Sequence, residues 1–239
     1  MYGWRGTIGL VKPTFRPGPL EAFIRLLPEG VCAVPRYVGI RSGTEKEFAE
    51  ALAVADQRVG ELAALKVDLV LLQGAPPFML LGPEFDRDNS RKLREKHGVA
   101  VLSTTMIQID ALKSLDAKSL VGLTYFQDDL NPKFAQFFEK AGFTVKAMKG
   151  IDVPFADVGK VPVEVIYAEA KKLFQHSGGA DCLYLLGAGW DCLKAIAPLE
   201  RDLNTSVVTN VPADLWAALK FLGIREPIKG YGRLLEELP

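Results

Sequence analysis

Leu183-Tyr184-Leu185-Leu186-Gly187-Ala188-Gly189-Trp190-Asp191-Cys192-Leu193 is the stretch on which the reading of the fold turns. An apolar run ends in two glycines around an alanine, and Leu193, Ile196 and Leu199 follow at helical spacing. That order is buried strand, tight turn, helix. A turn of this kind aims backbone N–H groups at a ligand, and the positive end of the helix dipole favours carboxylates and developing oxyanions. Many α/β proteins share such a turn, so a second copy carries more weight.

Residues 67–75, VDLVLLQGA, match residues 180–188, ADCLYLLGA, with an offset of 187 − 74 = 113 residues, and the same offset superposes 8–10 on 121–123. Two strand signals in register predict a duplicated unit. Working outward, apolar runs at 7–11, 31–37, 67–73, 99–102, 120–124, 144–148 and 207–210 read as further strands, and 20–27, 45–65, 84–97, 107–115, 134–140, 163–174 and 212–222 as helices. Residues 12–19, 74–77, 125–131 and 151–159 read as loops. Strands alternating with helices predict α/β architecture: two pseudo-symmetric αβα lobes with parallel sheets, 1–112 plus 216–239 and 113–215, with a ligand cleft between 74–77 and 187–190.

Lys and Arg balance Asp and Glu at 29 each, so no overall field draws the chain to nucleic acid or to an acidic membrane. Three cysteines without metal-type spacing argue against a disulfide framework or a zinc site. The first residues lack the apolar core of a signal peptide and no apolar run is long enough to span a bilayer, so a cytoplasmic protein, monomer or homo-oligomer, is expected.

The motifs IGLV at 8–11 with the proline loop after it, Asp128-Asp129-x-Asn131, the LLGAG turn before Ala195-Ile196-x-Pro198-Leu199-Glu200, and GYGRL at 230–234 resemble the arylmalonate decarboxylase family over nearly the whole chain. The wider group is the Asp/Glu racemase superfamily, which includes maleate isomerase. The resemblance implies two facing lobes and proton transfer by cysteine on a small carboxylate, with no metal and no organic cofactor. Here the second cysteine position is Ala188 and the first is Gly74 or Ala75, so both thiols are missing. Ala75-Pro76 stands where the decarboxylase has two hydroxyl residues, and the prolines also lack N–H donors. Pro13, with Thr14 beside it, keeps part of the proline loop. The family's tyrosine position falls on Phe126, with Tyr125 one residue away.

Among replacement acids or bases, Cys192 lies one helical turn after Ala188, where a helix N-terminus lowers a thiol pKa; the other reading is a small buried core residue. Asp191 is a carboxylate in the helix's first turn, acid–base group or cap. Gly189 and Trp190 complete the expected wall, Trp190 either lining the pocket or filling the lobe interface. Cys32 and Cys182 read as core, Asp128, Asp129 and Asn131 as caps, and His97 and His176 as surface turn residues. Thr104 and Thr105, at a strand's carboxyl end, either bond a carboxylate or cap a helix. The expected activity is a cofactor-free lyase, a decarboxylase of a small malonate-type acid, with Asp191, Cys192, Tyr125 or water as proton donor. The alternatives are an isomerase or racemase of a small carboxylic acid, or a binding protein whose Pro77, Phe78, Phe126 and Trp190 receive an apolar ligand.

Overall fold

Among the described residues the apolar runs become eight strands: β1 Gly6–Lys12, β2 Val31–Tyr37, β3 Leu69–Leu72, β4 Ala100–Ser103, β5 Ser119–Thr124, β6 Thr144–Gly150, β7 Cys182–Leu185 and β8 Ser206–Thr209. The structure, a computed structural model, describes residues 2–237; positions 1, 238 and 239, the outer ends of the expected first lobe, lie outside the described residues. Two parallel four-stranded sheets result, ordered β2-β1-β3-β4 and β6-β5-β7-β8. Strands β3 and β7 are buried along their full length, which is why LVLL and CLYL read as unbroken apolar runs.

The duplication is visible in the numbering. Strand β5 begins 119 − 6 = 113 residues after β1, and β6 and β7 keep that spacing from β2 and β3. Strand β8 follows β4 by only 206 − 100 = 106, because two helices, α3 Ala75–Leu81 and α4 Pro83–His97, fill the first interval where the second has the single α8 Leu193–Leu203. The other helices are α1 Gly18–Leu26, α2 Glu45–Ala64, α5 Thr104–Ser114, α6 Asn131–Lys140, α7 Val163–His176, α9 Asn210–Phe221 and α10 Arg233–Glu236.

Three local readings are corrected. The expected loop at 74–77 is the start of α3, with Pro76 and Pro77 in its first turn, where a missing N–H costs no intrahelical bond. The segment 151–159 holds a 3-10 turn, Phe155–Lys160. Helix α8 starts at Leu193, four residues beyond Gly189, so the glycine turn does not sit on the helix N-terminus. Helices α5 and α9 pack together, and α9 also touches α1 and β3 of the first sheet and β8 of the second. The carboxyl ends of both sheets therefore surround one space.

Candidate functional site

Strands β1, β3, β5, β7 and β8 deliver Lys12, Gln73, Tyr125, Gly187 and Asn210, each at or just past its last residue, to a cavity of about 60 Å³. Its two walls are the equivalent turns. Gly74 and Gly187 hold φ of 102° and 103°, a left-handed conformation that disfavours any residue with a Cβ. A Cβ at Gly74 would lie 2.9 Å from Pro13, and one at Gly187 would lie 2.5 Å from the Tyr125 hydroxyl oxygen. The turns are thus held tight against the neighbouring strand ends. Pro13, Thr14, Gly74, Ala75 and Pro76 line the first wall, and Tyr125, Phe126, Ala188 and Gly189 the second.

The floor is polar. Lys12 is 3% exposed, and its Nζ donates to Gln73 Oε1 at 2.9 Å. Gln73 Nε2 donates to Asp214 Oδ2 at 2.9 Å, and Thr104 Oγ1 donates to Asp214 Oδ1 at 2.6 Å. Gln108 then links Thr104 to the Tyr184 hydroxyl, extending the chain from the cavity into the second sheet. Burial pushes the Lys12 pKa down to about 8, against the opposing pull of the Asp214 charge. Burial pushes Asp214 up to about 6, while its hydrogen bonds and Lys12 hold it down. Thr104 and Thr105 do bond carboxylates, but these are the protein's own: Thr105, with Ser103, donates to the buried Asp86.

Tyr125 directs its hydroxyl into the second wall, where it accepts the Gly189 N–H at 3.1 Å. Burial raises its pKa to about 12, so it is a neutral phenol at physiological pH. Phe126 stacks on it, with ring centroids 4.6 Å apart. Asn131 does not cap α6; its side chain accepts from Thr124 Oγ1 at 2.6 Å and donates to the Phe126 and Gln127 carbonyls, fixing the bend that presents both rings. The Gly187 N–H is taken by Asn210 Oδ1 at 2.7 Å. Two of the turn's N–H groups are therefore already engaged, which differs from the open anion cradle expected of the turn.

Asp191, Cys192 and Trp190 line a neighbouring space of about 440 Å³ on the far side of Arg16 and the 187–189 turn. Asp191 is exposed and its Oδ1 accepts from Leu193 N at 3.4 Å, a capping contact. Cys192 is buried against Thr209 Oγ1 at 3.4 Å, and burial pushes its thiol up to about 11, opposite to the expected lowering. Desolvation outweighs the helix end here because Cys192, the N-cap residue of α8, is almost wholly buried. Trp190 meets Tyr125 edge-on at 5.1 Å and backs it. Phe78 packs in the core with Val59 and Leu62. His97 Nε2 faces Asp56 Oδ1 at 2.6 Å, and His176 Nδ1 faces the Lys172 carbonyl at 2.7 Å, both away from the cavity. Among the described residues no group of three or more His, Cys, Asp and Glu side chains is arranged to hold a metal ion.

Lys12, Arg16, Gln73, Asn210 and Asp214 escaped the sequence reading. Lys12, Gln73 and Asn210 share a legible sign, a polar residue closing an apolar strand at its ligand-binding end. Arg16 bridges the lobes: its guanidinium stacks on the Phe155 ring, 4.2 Å from the centroid, and donates to the Phe155 carbonyl. The cavity thus combines two cations, Lys12 and Arg16, with apolar surface from Ile40, Phe48 and Phe126.

The chain as a whole resembles known proteins in sequence and in fold. Arylmalonate decarboxylase of Bordetella bronchiseptica is 22% identical over 233 residues, 97% of each chain. A liganded double variant of arylmalonate decarboxylase superposes with a TM-score of 0.90 at 22% identity, covering 97% of this chain and 99% of that one. The maleate cis-trans isomerase of Nocardia farcinica, solved as a variant with a covalently bound succinylcysteine intermediate, gives a TM-score of 0.89 at 22% identity, covering 97% and 98%. The family model for arylmalonate decarboxylase matches residues 10–235, which takes in both turns and the whole floor of the cavity: the chain belongs to the arylmalonate decarboxylase family, on the Asp/Glu racemase fold.

Proposed function

We propose that the protein is a cofactor-free lyase that removes carbon dioxide from a small malonate-type acid. The observation that carries this reading is the pairing, in one cavity, of Lys12 and Arg16 with the apolar surface of Ile40, Phe48 and Pro77. Cations hold the carboxylate that remains, and an apolar patch disfavours the charged carboxylate that leaves as neutral gas. The cavity also limits size: about 60 Å³ is well below the roughly 150 Å³ that accommodates benzene. A compact substituent fits directly, and an aryl group requires Arg16 to swing toward the larger neighbouring space.

Isomerisation of a maleate-type diacid is the second reading, favoured by the same two cations. It ranks lower because the succinylcysteine of the Nocardia enzyme needs a thiol in the cavity. Here Ala75 and Ala188 face that space, and Cys192 lies outside it. The test is carbon dioxide release from methylmalonate through phenylmalonate by the unmodified protein, with maleate-to-fumarate conversion assayed in parallel. Release above the uncatalysed rate supports the lyase; fumarate without release replaces it by the isomerase; neither, from folded protein, sinks both and moves the weight to ligand binding.

A further inference from the structure

Lys12 and Asp214 are opposite charges buried 97% and 99%, yet they do not touch. A buried ion pair kept for stability is a direct contact, because only close approach offsets the desolvation of both ions. Here the Gln73 amide stands between them, accepting from Lys12 and donating to Asp214. Lysine only donates and carboxylate only accepts, so the amide has one orientation. Both Asp214 oxygens are engaged, by Gln73 and Thr104. The ammonium has three donors, and among the described residues the side-chain acceptor it meets is Gln73 Oε1. Two N–H groups remain for whatever occupies the cavity that Lys12 lines.

We propose that Lys12 is the catalytic acid of this cavity, delivering a proton to the carbon that carbon dioxide has left, and that Gln73 and Asp214 are positioning residues. The proposal rests on the decarboxylase reading above. In the step, the bond from the α-carbon to one carboxylate breaks, its electron pair stays on that carbon as an enediolate, and carbon dioxide departs neutral. One Nζ–H proton then passes to the carbon, giving the monocarboxylate and a neutral amine, which a solvent proton recharges.

The chemistry asks for an acid whose pKa lies near the working pH. Burial brings Lys12 to about 8, and the Asp214 charge keeps it from falling further. The charged or titratable groups sharing its cavity are Asp214 from α9, Arg16 from the segment after β1, and Tyr125 from the end of β5. Of the acids present, the Tyr125 phenol is far weaker, at about 12.

The experiment compares the full-length protein with Lys12→Met and Asp214→Asn. The readouts are carbon dioxide release from methylmalonate and phenylmalonate, exchange of solvent deuterium into the α-carbon of phenylacetate, and folding by circular dichroism. Lys12→Met is expected to lower kcat by about 100-fold or more with KM changed only a few-fold, the range for loss of a general acid. Wild-type kcat/KM falls as pH rises past about 8, and Asp214→Asn moves that fall to lower pH, which a purely structural Asp214 would not do. If folded Lys12→Met keeps kcat within about threefold, the assignment is overturned while the decarboxylase stands. If wild type releases no carbon dioxide, the decarboxylase reading fails and exchange decides Lys12. Exchange lost in Lys12→Met upholds the residue; exchange unchanged, or absent from wild type, overturns it.

Discussion

Replacing Lys12 by methionine should make the protein more stable. The ammonium loses its water in the fold, and moving its pKa from 10.5 to about 8 corresponds to about 3 kcal/mol of disfavoured charge at neutral pH. Methionine has similar reach and no charge, so it keeps the packing against β1 and β3 while removing that cost. Part of the gain is given back, because Asp214 loses the cation that helps keep it ionised. The net expectation is about 1–3 kcal/mol at pH 7, or a rise of several degrees in Tm for a chain this long. The pH dependence fixes the sign. Below pH 8 both folded and unfolded wild-type chains carry the proton, and the cost is fully present. Between about 8 and 10.5 the unfolded chain binds the proton and the folded chain does not, so wild-type stability rises with pH and the advantage of Lys12→Met shrinks toward zero. Urea denaturation of both proteins at pH 7, 9 and 10.5 measures this. A variant less stable than wild type at pH 7, or an advantage that does not shrink with pH, would refute the claim that the ammonium is a buried liability.

Gly187→Ala should cost about 1–3 kcal/mol, since its φ of 103° lies in the left-handed region and the new methyl meets the Tyr125 ring; denaturation checks the cost, and loss of phenylmalonate-induced thermal stabilisation checks the displaced wall. Ala188→Cys places a thiol in the cavity wall and should speed release from phenylmalonate by about tenfold or more, with Pro76→Ser adding hydroxyl hydrogen bonding. A folded variant with no gain would mean that the cleft does not cradle an arylmalonate.

The fold was legible because buried parallel strands leave unbroken apolar runs, and because a duplication writes each run twice. The 113-residue offset found in two segments is kept by β1, β2 and β3 against β5, β6 and β7. The two turns that wall the cavity were legible for the same reason: glycine turns leave glycines. The floor was not. Closeness in sequence to the turn points to Asp191 and Cys192, but α8 starts only at Leu193, and the intervening bend carries both to the other side of Arg16. Lys12 and Asp214 stand some two hundred positions apart, and only the return of α9 onto β3 brings them to one amide. Burial and its effect on a pKa follow from that tertiary closure, which periodicity does not contain.

The duplication also bears on stereochemistry. By the 113-residue offset, Lys12 corresponds to Tyr125, so the pseudo-symmetry brings one group bearing an ionisable proton from each lobe to the same cavity. Were the two matched in acidity, protons would reach a planar enediolate from either side and the product would be racemic. They are not matched: burial takes the ammonium down to about 8 and the phenol up to about 12. Near neutrality the ammonium is the stronger acid of the two, which favours delivery from the Lys12 side. A malonate bearing two different substituents should therefore yield one enantiomer, with excess above about 90%, by chiral chromatography of the monoacid. In Lys12→Met the residual product should lose that excess or reverse it, because Tyr125 and water then compete from the other side. A racemic wild-type product would mean that the two lobes act as equals, and would raise the isomerase above the lyase.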